Sequence, residues 1–171
     1  MTFANIALLA AAFTTALIAG LFYSYSCSVN GGLGRLPDAG YLSAMQSINR
    51  EILNPLFFMS FMGTIILLPV STWLQYSTPA PIRFYLLLAA TLVYAVGTFG
   101  VTMVGNVPLN NALDAFHIQA ASPEALHQQR ELFEKPWNKL HSIRTVANAL
   151  ALILVLLACI IKQDVAATKL G

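Results

Sequence analysis

Apolar residues run through this chain in long uninterrupted blocks. Residues 1–34, 52–82, 84–113 and 145–161 contain no Asp, Glu, Lys or Arg. A helix crosses a bilayer with about 20 apolar residues. The blocks therefore predict four membrane-spanning helices, over about residues 3–28, 52–76, 82–105 and 137–161. Between them, Asn30-Gly31-Gly32-Leu33-Gly34 predicts the stop of the first span, and Pro37-Asp38-Ala39-Gly40 a turn. From Tyr41, the residues Leu42, Met45, Ile48, Ile52 and Leu56 recur at helical spacing. This pattern predicts a helix running on into the second span, kinked at Pro55. Val107–Leu113 predicts a short helix at the interface. Ser122 and Pro123 form a helix start, followed by a polar helix to about Glu134. Pro136 is expected to open the fourth span, and a short soluble tail to follow Ile161. The fold class is an all-α membrane protein: a four-transmembrane-helix bundle in one domain over 1–171, with short interfacial helices in the 30–50 and 106–136 segments.

Composition sharpens this picture. Hydrophobic residues make up 57% of the chain and charged residues 9%, against roughly 25% charged in soluble domains. Disorder and an ordinary soluble enzyme are excluded. The net charge of +2, with no basic stripe, points away from nucleic acid. No Lys or Arg precedes the first apolar run, so it is expected to be a permanent span rather than a cleaved signal. Cys27 and Cys159 fall at opposite membrane faces, roughly 30 Å apart, too far for a disulfide; both are expected to pack as apolar residues. Arg35, Arg50, Arg130, Lys135, Lys139 and Arg144 lie toward one face, and Arg83, Lys162 and Lys169 toward the other. With Arg50 and Arg144 set aside as embedded, the positive-inside margin leaves the orientation open.

The candidate chemistry is polar residues placed where spans meet the interface. Trp137, His141, Arg144, Thr145 and Asn148 share one face of the fourth helix, and Gln46, Asn49, Arg50, Leu53 and Asn54 one face of the second. Asn106, Asn110 and Asn111 follow the third span at the same end, and Asn138 lies beside Trp137. An Arg or His inside a span is costly and faces a partner or a cavity. Two readings stand: helix-to-helix cohesion, or a polar pocket at one membrane face. In the second, His141 is the general base, Arg50, Arg144 and Asn amides stabilise an oxyanion, and Trp137 stacks on a planar ligand. His117, His127 and His141 are not paired at ligand spacing, and no C-x-x-C occurs. No metal site and no cofactor are therefore expected.

Four segments carry a family resemblance: Gly32-Leu33-Gly34-Arg35-Leu36-Pro37, Met45-Gln46-Ser47-Ile48-Asn49-Arg50 with Asn54-Pro55, Gly105-Asn106-Val107-Pro108-Leu109-Asn110, and Trp137-Asn138-Lys139-Leu140-His141-Ser142-Ile143-Arg144-Thr145. In this order, over about residues 10–160, the chain resembles the DUF1772 or anthrone oxygenase family of small integral membrane proteins. The resemblance implies four spans, a multi-pass location, expected to be a bacterial inner membrane, and oxidation of a planar lipophilic anthrone by molecular oxygen as co-substrate. The catalytic candidates are His141, Arg144 and Arg50. The substrate-binding candidates are Trp137, Asn49, Asn54, Asn106, Asn110 and Asn138. The partners expected are the bilayer and a small aromatic ligand, with the oligomeric state left open. A non-catalytic ligand-binding protein, a small transporter and an accessory subunit are the competing functions. The two halves show no convincing repeat of the kind many transporters carry.

Overall fold

The helical periodicity and charge-free blocks fold into five long helices and one 3₁₀ turn, Ile118–Ala120, in the computed structural model, which describes residues 2–161. The helices are α1 Phe3–Leu33, α2 Asp38–Glu51, α3 Pro55–Leu74, α4 Ile82–Asp114 and α5 Pro123–Ile160. All but α2 are long and apolar enough to cross a membrane. No strand occurs among the described residues, and the expected soluble tail after Ile161 lies outside them. The chain is a multi-pass integral membrane protein.

Consecutive spans pack against each other and α5 closes back on α1, so each span has two neighbours. Ile18, Phe61, Leu68, Leu87, Ala90, Tyr94, Ala151 and Val155 fill the centre. Leu56, Met59, Ile66, Trp73, Val96, Val146 and Ile153 are exposed on the outside. That distribution suits a hydrocarbon solvent. With hydrocarbon outside, close packing holds the helices together rather than apolar burial. Glycine permits it where α4 meets α5. A Cβ on Gly97 would sit 2.5 Å from the Ala147 Cβ, and one on Gly105 would sit 2.8 Å from Leu140 Cδ1.

Helix length positions the site. At 1.5 Å per residue, the 20 residues of α3 span about 30 Å, one hydrocarbon thickness. The 31, 33 and 38 residues of α1, α4 and α5 reach well beyond it. All three overshoot α3 at the end where α3 begins, and α2 fills the space above that start, against α4 and α5.

Several boundaries differ from the sequence reading. The helix of span 1 runs through Asn30-Gly31-Gly32 to Leu33, because those glycines adopt helical angles with nothing crowding them. α2 does not continue into span 2. It stops at Glu51, and Asn54 starts a new helix, accepting from Phe57 N at 3.1 Å with Pro55 at its first position. Asn54 Nδ2 also donates to the Glu51 carbonyl at 2.7 Å, closing off the end of α2. Val107–Leu113 is not a separate interfacial helix but the last turns of α4, and the polar helix from Pro123 is continuous with span 4. Pro136 is internal to α5. The Leu132 carbonyl that its missing N–H leaves unbonded belongs to a residue 61% exposed, at the end of the helix that projects from the bilayer. Cys159 is half-buried, whereas Cys27 is exposed rather than packed; both are free thiols.

Candidate functional site

Helix α5 has its polar face turned inward. Phe133, Trp137, His141, Arg144 and Asn148 are all buried along it. Opposite them, α1 departs from α-helical geometry at Tyr25–Val29, a π segment. The wider turn brings Tyr25 and Ser26 onto α5: the Tyr25 ring lies 5.9 Å from Trp137 and 5.7 Å from His141, and Ser26 Oγ is 3.0 Å from His141 Nε2. α4 carries a π segment at Tyr94–Gly100 deeper in the bundle and another at Thr102–Asn106, whose Thr102 lines the site. Such segments cluster at functional sites.

A cavity of about 90 Å³ lies here. Phe22 and Tyr25 of α1, Ile48 and Asn49 of α2, Ile52 and Leu53 of the break, and Phe57 of α3 form one side. Thr102 and Asn110 of α4 with Trp137, His141 and Arg144 of α5 form the other. Trp137 stacks on His141 with centroids 5.1 Å apart and an 11° interplanar angle. The Arg144 guanidinium sits 4.5 Å over the Phe22 ring and 5.0 Å over Trp137. Its Nε and Nη2 are each 3.3 Å from His141 Nδ1. Arg144 is 8% exposed and has no carboxylate partner among the described residues. The ion pairs there are Arg50–Asp114, His127–Asp38, Arg130 with Asp38 and Glu134, and Lys135–Glu131. A buried cation held by aromatic faces and one imidazole is poised to receive an anion.

Of the residues singled out from sequence, Trp137, His141, Arg144, Asn49 and Asn110 line the cavity. Asn110 Oδ1 accepts from Trp137 Nε1 at 2.9 Å and fixes the indole. The Asn49 Nδ2 is buried with no hydrogen-bond partner. Asn106 is fully buried just outside the cavity lining, its Nδ2 donating to the Trp137 carbonyl at 3.4 Å. Asn138 does not line the cavity. Asn54 is spent on capping α3. Arg50 is not embedded as the sequence reading had it: it is exposed and pairs with Asp114 at 2.6 Å. Phe22, Tyr25, Ser26, Phe57 and Thr102 were not in the sequence-derived set. The first three depend on where α1 meets α5, which no spacing within α1 reveals.

Above the cavity, α2 is anchored by polar contacts. Gln46 Nε2 donates to the carbonyls of Leu113 and Phe116 at 2.8 and 2.9 Å. Arg130 donates to Asp38, to Glu134 and to the carbonyls of Gly34 and Leu36, and lies 4.6 Å over the Tyr41 ring. The hydrogen bond from Arg130, with a second from His127, holds the Asp38 carboxyl below its usual range. Burial pushes the Tyr41 phenol up. No three of His, Cys, Asp and Glu come together as a metal-binding group among the described residues.

Comparison with known proteins bears on this arrangement. No curated protein matches the chain, and no solved structure does. The family model of the anthrone oxygenases matches residues 56–154, more than half of the 171 residues. The match takes in α3, α4 and most of α5, with Asn106, Asn110, Trp137, His141 and Arg144, and it begins after α2. The chain belongs to the anthrone oxygenase family.

Proposed function

We propose that the cavity binds a planar, lipophilic aromatic with an acidic C–H or O–H group and oxidises it with molecular oxygen. The observation that carries this reading is Arg144: a buried guanidinium, without a carboxylate, among stacked aromatic rings in a membrane-embedded pocket. An anion with delocalised charge and a flat apolar body matches both features. Family membership supplies the reaction class, with an anthrone as the type of substrate.

The chemistry balances without a further reductant. The acidic methylene of the anthrone gives its proton to His141 Nδ1 as the carbonyl becomes an oxyanion. Arg144 leaves Nδ1 and pairs with that oxyanion; Asn49 Nδ2 is a second donor at the cavity wall. The carbanion form adds oxygen at the methylene carbon and the resulting peroxide takes up a proton. Loss of water then leaves a second carbonyl, so one substrate and one O₂ give one quinone and one water. The aromatic walls bind the rings in the ground state, while Arg144 meets a charge that exists only after proton removal, which is where stabilisation raises the rate.

A cavity of about 90 Å³ is smaller than the roughly 300 Å³ of pockets that hold drug-sized ligands, so a tricyclic ligand must displace a wall. Leu53, 65% exposed and set in the break between α2 and α3, is the least enclosed part of the lining. A lipid-dissolved substrate enters there. The test is oxygen uptake by the purified protein in detergent with an anthrone, with the product identified by mass. Stoichiometric quinone formation, lost in Arg144→Gln, is expected. Binding of the anthrone without oxygen uptake would favour a ligand-binding role instead.

A further inference from the structure

Both edges of the His141 ring are occupied: donors from Arg144 face one and two hydroxyls face the other, and the Phe22 backbone carbonyl is a further acceptor for the ring. Arg144 offers only donors, and two of its nitrogens face Nδ1 at 3.3 Å. Nδ1 therefore carries the lone pair, and Nε2 carries the hydrogen. On that side stand Ser26 Oγ at 3.0 Å and Thr145 Oγ1 at 3.4 Å, the two hydroxyls 3.4 Å apart. Thr145 has one proton, and the His141 backbone carbonyl, 2.7 Å from its Oγ1, takes it. Toward Nε2 and Ser26, Thr145 then presents lone pairs alone. Ser26 accepts from Nε2–H and donates to Thr145. One chain of donors then runs from Nε2–H to Ser26, from Ser26 to Thr145 and from Thr145 to the His141 carbonyl.

We propose that Ser26 and Thr145 are positioning residues that, together with Arg144, hold His141 as its Nε2–H tautomer, so that its one basic nitrogen faces Arg144 and the cavity. Ser26 is exposed on the outer seam between α1 and α5 and does not line the cavity, so it acts through the imidazole rather than on the ligand. The π segment at Tyr25–Val29 is what brings its hydroxyl to the ring. In the opposite tautomer Nδ1–H would confront the Arg144 donors and the lone pair would face the outer seam, away from any bound substrate. The proposal rests on the reading of His141 as the base.

The test is nitrogen-15 NMR of the histidine-labelled full-length protein in detergent, which distinguishes protonated from unprotonated ring nitrogens and needs no turnover. The wild type is expected to show His141 protonated at Nε2 alone. Ser26→Ala with Thr145→Val is expected to mix the tautomers, and Thr145→Ser to restore the single form. In turnover, the double variant is expected to lose kcat in proportion to the misplaced fraction, about twofold for an even mixture, with KM unchanged, since a misplaced tautomer removes the base without touching the ligand. An Nδ1–H signal in the wild type, or an unchanged tautomer in a folded double variant, overturns the proposal. If the tautomer follows the two hydroxyls while the wild type oxidises no anthrone, the functional reading fails and the positioning stands.

Discussion

The protein buries an arginine at each end of its bundle, and the two have different neighbours. Arg83, 9% exposed, donates through Nη2 to the carbonyl of Ile161 at the C-terminus of α5. There the orphan carbonyls and the negative end of the helix dipole receive a cation. Among the described residues Arg144, 8% exposed, has no helix end and no carboxylate to answer it, only an imidazole nitrogen and two aromatic faces. Nearly equal burial thus conceals opposite surroundings. A buried arginine marks a site when its neighbours leave its charge unanswered and a cavity adjoins it.

Substitution separates the two. Arg144→Gln should lower turnover by about 10²-fold or more, the usual effect of removing an oxyanion donor, with little loss of thermal stability. Arg83→Gln should do the reverse, lowering the melting temperature in detergent while turnover per folded molecule stays near wild type. Equal behaviour of the two variants in both assays would erase the distinction. Next in size, His141→Ala should cost on the order of 10²-fold in rate, and near-wild-type turnover would remove it as the base. Gly97→Leu tests packing away from both ends. Its side chain has no room against Ala147, and a destabilisation of about 1–3 kcal/mol is expected. An unchanged melting temperature would show that the α4–α5 contact is looser than described.

The smallest effect concerns the anchor of α2. The Asp38 carboxyl is held below its ordinary value by Arg130 and His127. Its contribution is therefore complete above the unfolded carboxylate pKa of about 4 and is lost as pH falls through the lower folded value. Wild type should become more open to hydrogen exchange in α2 below that range, whereas Asp38→Asn should already show the faster exchange at neutral pH. Identical exchange in the two proteins at neutral pH would mean that Asp38 does not hold α2.

Much of this was written in the pattern of the chain. Four charge-free blocks located the spans, and the helical spacing of Trp137, His141, Arg144 and Asn148 placed all four on one buried face. The Asn54-Pro55 pair also carried a readable signal, since an Asn before a Pro is a helix start; it makes Asn54 a cap before it can be a ligand group. Arg50 was not legible in the same way. It shares a helical face with Asn49, yet Asp114 at the end of α4 draws it outward, a pairing between positions 64 residues apart. The π segments were hidden for a related reason. They break the 3.6-residue period that a helical reading assumes, so Tyr25 and Ser26 reach α5 from positions the regular pattern would turn elsewhere.

Stabilisation of an oxyanion by Arg144 in an apolar pocket can be read in an anaerobic titration. With oxygen excluded, an anthrone is added to the purified protein at neutral pH and its absorption spectrum is followed. The wild type should show the long-wavelength band of the anion, and Arg144→Gln should lose it. Only the spectrum of the neutral form in the wild type, or an anion band of equal strength in both proteins, would contradict stabilisation by Arg144.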